Sequence, residues 1–141
     1  MHRILKARLE QSFDLTYDLA AHLEEPALGL DLPGLPSNRM AGQLWCVVGA
    51  RESYIAALRA GRWTGFSCSL ESPRVKSSVL AALAASRALL DQVDLLTLDA
   101  ARTELAFALL EHEIQHHGQL VRYVYANRLS FPPTWNQRYT V

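Results

Sequence analysis

Apolar residues recur along this chain at helical rather than strand spacing. Between Arg3 and Glu24, the residues Ile4, Leu5, Ala7, Leu9, Phe13, Leu15, Leu19, Ala20 and Leu23 fit one helical stripe, and Pro26 lies just beyond it. A second helix is predicted from an N-cap at Ser37, through Met40, Leu44, Val47, Val48, Tyr54 and Leu58, to a stop at Gly61. Its interior glycines, Gly42 and Gly49, each cost about 1 kcal/mol against alanine, so close packing or a nearby ligand is expected there. Ser72-Pro73 sets a capping residue before proline at the first helical position and opens a third helix from Val75 to about Val93. The longest signal runs from Asp99 to Ala126, through Ala100, Leu105, Leu109, Leu110, Leu120, Val121 and Val124, with Asn127 as a left-handed cap.

The connections are equally readable. Residues 26–36 (PALGLDLPGLP) combine three prolines and two glycines with leucine, the composition of an ordered connection. Residues 62–71 (RWTGFSCSLE) have no period and form the crossover between the second and third helices, while the tail from Leu129, with Pro132-Pro133 and Trp135, is expected to pack over a bundle end. No strand alternation, internal repeat or low-complexity block competes, so the pattern predicts an all-α four-helix bundle in a single domain, residues 1–141.

Composition narrows the function. Half of the residues are apolar, enough for one core without disulfides. Lys and Arg number 14 and Asp and Glu number 14, so no global field favours nucleic acid or an anionic membrane surface. No apolar run approaches the roughly 20 residues that span a bilayer, and the N-terminus interleaves charge with leucine rather than presenting a secretory core, which predicts a cytoplasmic protein. Two cysteines, Cys46 and Cys68, do not make a disulfide framework. Cys68 stands in the crossover with no base beside it in sequence.

The chemistry concentrates in Glu111-His112-Glu113-Ile114-Gln115-His116-His117-Gly118-Gln119. His112 and His116 are one helical turn apart, in register with Leu105, Leu109 and Leu120, so both lie on or beside the buried stripe. Two imidazoles there need partners, and one divalent metal ion supplies a partner to both; the bland alternative is two histidines satisfied in the core. His112-Glu113-x-x-His116 also matches the zincin protease pattern, with Glu113 as base. The chain departs from that pattern, because no Asp or Glu follows Glu113 and the position of a third histidine is Arg122. His117 lies off the His112/His116 face, His22 is near a helix end and His2 is terminal, so none of them is expected to act. Arg122, Arg128 and Arg138 suit a helix C-terminus, or an anion clamp near the metal.

His-Glu-x-x-His followed by Gly-Gln, late in a four-helix pattern, resembles the DinB-like metal-binding proteins over nearly the whole chain. The resemblance implies an up-down-down-up bundle in which three histidines, one from the second helix and two from the late pair, bind zinc, nickel or another divalent ion. His112 and His116 match the late pair, whereas in Gln43-Leu44-Trp45-Cys46-Val47-Val48-Gly49 a cysteine, Cys46, stands where the resemblance expects histidine. Cys46 either ligates as a thiolate, giving a His₂Cys set with an open position, or fills the core. Gln43 and Glu52 are reserve ligands.

The resemblance further implies an enzyme that transfers a low-molecular-weight thiol to a small electrophile, or hydrolyses one, with Glu113 orienting a ligand imidazole or staying at the surface. A small-molecule substrate and a homodimeric assembly are the expected partners, with no nucleic acid and no membrane. The alternative is a non-catalytic, stress-associated bundle with a degenerate or structural site, acting by dimerisation or partner binding.

Overall fold

The computed structural model describes residues 1–141 and is all-helical, with five α-helices and no strand. The helices are α1 (His2–His22), α2 (Met40–Ala60), α3 (Lys76–Leu89), α4 (Ala100–Ala126) and the short α5 (Pro133–Tyr139). No helix is long and apolar enough to cross a membrane. Helices α1 and α2 each pack against both α3 and α4. Side-chain pairs give the directions. Helices α2 and α4 oppose each other, because Arg102 reaches the Leu58 carbonyl at one end and Gln43 reaches His116 towards the other. Helices α1 and α3 also oppose, from Arg87 on Asp14 to Lys76 on the Ala21 carbonyl. Helices α1 and α4 run the same way, from His2 beside Thr103 to Thr16 beside Glu113.

Helix positions follow the apolar periods closely, but three termini differ from the sequence expectation. Ser37 does not cap α2: its hydroxyl accepts the Leu32 N–H at 2.9 Å, tying down the proline-rich connection, and α2 starts at Met40 behind an extended Arg39. Ser72-Pro73 does not open α3. Ser72 closes a turn with the Val75 N–H, and the first N–H of α3, on Lys76, is met by the Glu25 carboxylate from a distant segment. Asn127 is not left-handed; its amide donates to the Tyr123 and Asp31 carbonyls, and the left-handed position falls on Arg128 (φ 56°). At Ser37 and Asn127 the side chain itself found another partner; at α3 another residue's carboxylate took the capping place.

The interior is two apolar clusters with a polar layer between them. One is built on Leu15, Leu19, Leu44, Val47, Leu83, Leu120, Val124 and Trp135, and the other on Leu5, Leu9, Phe13, Ile55, Leu58, Leu90 and Leu109. The layer holds Thr16, Arg51, Ser86, Glu113 and His117, all buried. The tail packs on the bundle as a helix, but against the middle of α1 and α4 rather than over a bundle end, because Thr134 bonds Asp18 and Tyr139 reaches His117. Trp135 is fully buried and its indole N–H donates to the Leu15 carbonyl at 2.6 Å.

The two α2 glycines have packing reasons. A Cβ on Gly49 would stand 2.9 Å from the Cβ of Cys68 and would also meet Phe66, so the crossover can lie on α2 only because that Cβ is missing. A Cβ on Gly42 would meet the Asn38 side chain at 3.1 Å. Gly118, in exposed α4, meets nothing within 4 Å. Opposite outcomes are therefore expected in urea or thermal unfolding: Gly118→Ala should stabilise by up to about 1 kcal/mol from helix propensity, whereas Gly49→Ala should destabilise by roughly 1–3 kcal/mol through overpacking. Equal stabilisation by both would refute the docking of the crossover on α2.

Candidate metal centre

Cys46 from α2 and His112 and His116 from α4 come together, their ligand atoms all within 4.8 Å of one another. The Cys46 Sγ lies 3.6 Å from His112 Nε2. With Zn–S near 2.3 Å and Zn–N near 2.0–2.1 Å, the S···N edge of a tetrahedral site is about 3.6 Å. The two imidazole centroids are 4.6 Å apart, tilted by 56°.

His116 is oriented by Gln43. Its Nδ1 is 2.5 Å from Gln43 Oε1, an oxygen that only accepts, so Nδ1 carries the proton and Nε2 is left as a lone pair. Gln43 is held in turn, because its amide donates to Asn38 Oδ1 at 2.7 Å and Tyr123 donates to the same oxygen. Gln43 is therefore committed to His116 and would support that imidazole as a ligand rather than serve as one. Glu52, the other reserve ligand, is used elsewhere: its carboxylate accepts from the Ser69 N–H and hydroxyl and pins the crossover. His112 keeps one buried nitrogen, Nδ1, with no hydrogen-bond partner in the protein.

Burial and the neighbouring His112 push the His116 imidazole down to about 4, and burial lowers His112 as well. Both are neutral near pH 7, the form that ligates. Burial raises the Cys46 thiol, so a thiolate there needs a cation to stabilise it.

No protein-family model matches the chain, and no curated protein matches it significantly.

Glu113 departs from both of its expected roles. It neither orients a ligand imidazole nor faces solvent; it is fully buried and paired with Arg51. The Arg51 Nη2 and Nε donate to Glu113 Oε1 at 2.5 Å and Oε2 at 3.1 Å. Burial alone would raise the Glu113 carboxyl, but Arg51 and the nearby His117 imidazole, 3.8 Å away, hold it down at about 2. Arg51 also donates to the Phe13 and Leu83 carbonyls and the Ser86 hydroxyl, and lies 3.8 Å over the Phe13 ring.

His117, expected to be idle, is fully buried in the same layer. Thr16 Oγ1 is 2.5 Å from Glu113 Oε1 and 2.7 Å from His117 Nε2, while His117 Nδ1 is 2.5 Å from the Tyr139 hydroxyl. These bonds link α1, α4 and α5 beside the candidate metal site. Of the three arginines, Arg138 lies over the Tyr139 ring, 5.1 Å from its centroid, and Arg122 lines a cleft of about 250 Å³ with Gln43, Gln119 and Tyr123. Cys68 is half-buried, its thiol donating to the Trp45 carbonyl.

Sequence reasoning missed Arg51, although a signal existed: it sits between Val47, Val48 and Ile55 on the apolar face of α2, where a lone charge needs a buried partner. Thr16 and Tyr139 carried no comparable signal.

Two expectations follow. As pH falls below 6.5, the unfolded chain binds a proton at His116 before the native protein does, so stability of the metal-free protein should decline from 6.5 to about 4; His116→Gln should flatten that limb of a denaturation-versus-pH curve. The contribution of Glu113, present above 4.5, is lost as pH falls on towards about 2, a later and separate decline. Second, Arg51→Met alone should cost about 3–5 kcal/mol by leaving a buried carboxylate unpaired, and adding Glu113→Leu should recover much of that loss. A double variant no more stable than Arg51→Met, measured by urea unfolding, would contradict a pairing role.

Proposed function

We propose that this chain is a DinB-like, up-down-down-up four-helix bundle that binds one divalent transition ion, zinc or nickel, through Cys46, His112 and His116 and acts on small electrophilic substrates. The observation that carries it is the convergence of one sulfur and two imidazoles within 4.8 Å, with an S···N edge of tetrahedral length. The helix directions support the topology: α1 and α4 share one sense, and α3 and α2 oppose α1 and α4 respectively.

The donor set fits a borderline-soft ion such as zinc, which accepts sulfur and nitrogen together. Three protein ligands leave a fourth position open, as catalytic rather than structural zinc sites do. A divalent ion held there supplies Lewis acidity and lowers the pKa of a water or thiol in the open position, the chemistry of thiol transfer or hydrolysis. The chain's own residues prepare for it. Gln43 fixes the His116 tautomer, burial keeps both imidazoles neutral, and the Arg51–Glu113 pair keeps the helix carrying both histidines from rotating. Because Glu113 is a fully paired carboxylate, it is unavailable as a base, and proton transfer must use a group of the substrate or solvent.

Elemental analysis of protein supplied with zinc or nickel provides the test. Near one equivalent of metal is expected in the natural chain, with loss in His116→Ala and Cys46→Ser, and a roughly 10–100-fold weaker affinity in Gln43→Ala, whose loss frees the ligand imidazole. Absence of metal in the natural chain would replace the enzyme reading with that of an interaction bundle. Metal retained in Cys46→Ser would remove sulfur from the ligand set.

A further inference from the structure

The second cysteine approaches the metal centre from outside. The thiol of Cys68 donates to the carbonyl of Trp45, the residue before Cys46, at 3.3 Å. Its Cβ lies 2.9 Å from where a Cβ of Gly49 would stand. Residues three apart on a helix are surface neighbours, their Cβ positions about 5–6 Å apart, so positions 46 and 49 share this patch. The Cβ of Cys68 is thus at most about 9 Å from that of Cys46, and a disulfide asks for roughly 3.5–4.5 Å. The difference is a shift of a few ångströms in residues 63–71, which have neither helix nor strand of their own but are pinned on both sides of Cys68, by Ser53 on Ser67 and by Glu52 on Ser69, bonds that the shift must open. The missing Cβ of Gly49 is what lets Cys68 lie so low against α2. Both thiols are free and half-buried.

We infer that Cys46 and Cys68 form a reversible redox pair, in which Cys68 resolves oxidised Cys46 and the resulting disulfide disables the metal centre. The disabling half rests on the reading of Cys46 as a ligand; the pairing of the two thiols does not. The co-reactant is hydrogen peroxide. In the zinc-free protein Cys46 gives its proton to His112 Nε2, 3.6 Å away; with zinc held the sulfur is already a thiolate; in either form the sulfur attacks a peroxide oxygen. The S–O bond forms as the O–O bond breaks, and the departing hydroxide takes up a proton as water. The Cys68 sulfur, losing its own proton, then attacks the Cys46 sulfenic acid. The S–S bond forms, the S–O bond breaks and a second water leaves, so that two electrons have passed from sulfur to peroxide. A disulfide sulfur carries no thiolate charge and is no ligand for zinc, and an external dithiol restores both thiols.

The full chain, in zinc-free and zinc-supplied forms, is treated with limiting hydrogen peroxide, quenched with N-ethylmaleimide and mapped by peptide mass spectrometry without reduction. The expected product is an intramolecular Cys46–Cys68 peptide in both forms, with zinc released in step with disulfide formation and regained after dithiothreitol. In Cys68→Ser, Cys46 should instead be trapped as a sulfenic acid by dimedone. A disulfide between chains only, independent over-oxidation of the two thiols, or thiols that both survive would overturn the inference. A disulfide forming in a chain that never takes up zinc leaves the redox pair standing and removes the metal reading; zinc uptake without the disulfide removes the redox pair alone.

Discussion

A guanidinium and a carboxylate, both wholly removed from water, meet at the centre of this protein, and the surrounding helices are arranged to make that tolerable. Desolvating two charges costs several kcal/mol per ion, which attraction offsets only when the geometry is good and the leftover donors and acceptors are met. Here they are met from four elements. Arg51 on α2 gives two bonds to Glu113 on α4 and further bonds to carbonyls of α1 and α3. An apolar pair could hold the same volume, but it would not specify the rotation of α4 about its axis. The ion pair does, and that rotation turns His112, the residue just before Glu113, and His116, about one turn after it, towards Cys46.

The polar layer reaches the chain's end by the same logic. The acceptor capacity of Glu113 draws the Thr16 hydroxyl, Thr16 meets one nitrogen of His117, and the other nitrogen meets Tyr139. Trp135 seals the layer by filling the space beside His117, their ring centroids 4.9 Å apart. Helix α5 is too short to persist alone in water. Its order comes from this docking, so residues 133–139 are part of the scaffold beside the candidate metal site rather than an appendage.

What could be read from sequence follows from which interactions are periodic. The four long helices were legible because burial of Leu9, Leu44, Leu83 and Leu120 recurs at helical spacing. The late histidine pair was legible for the same reason, since positions four apart share a face whatever surrounds them. Glu113 was not, because its position off the ligand face fits an exposed residue as well as one aimed at a partner on α2. The buried role of His117 was hidden likewise: its partners, Thr16 and Tyr139, are remote in sequence. Capping failed at Ser37, whose hydroxyl was taken by Leu32 in the connection before it, and at Ser72, where the remote Glu25 met the first N–H of α3.

Gln43 and Cys46 show how the two kinds of information combine. They are three residues apart on α2 and so face the same stretch of α4, where the opposed helix directions pair Cys46 with His112 and Gln43 with His116. An imidazole can stand where Cys46 stands only if its longer reach does not collide with His112, whose Nε2 is already 3.6 Å from the sulfur. Thiolate brings its negative charge closer to the helix and leaves that space free. It would also change the chemistry, because an imidazole ligand resists oxidation, whereas a cysteine ligand does not. A centre built on this set gains charge neutralisation for its cation and, through the same atom, sensitivity to oxidants.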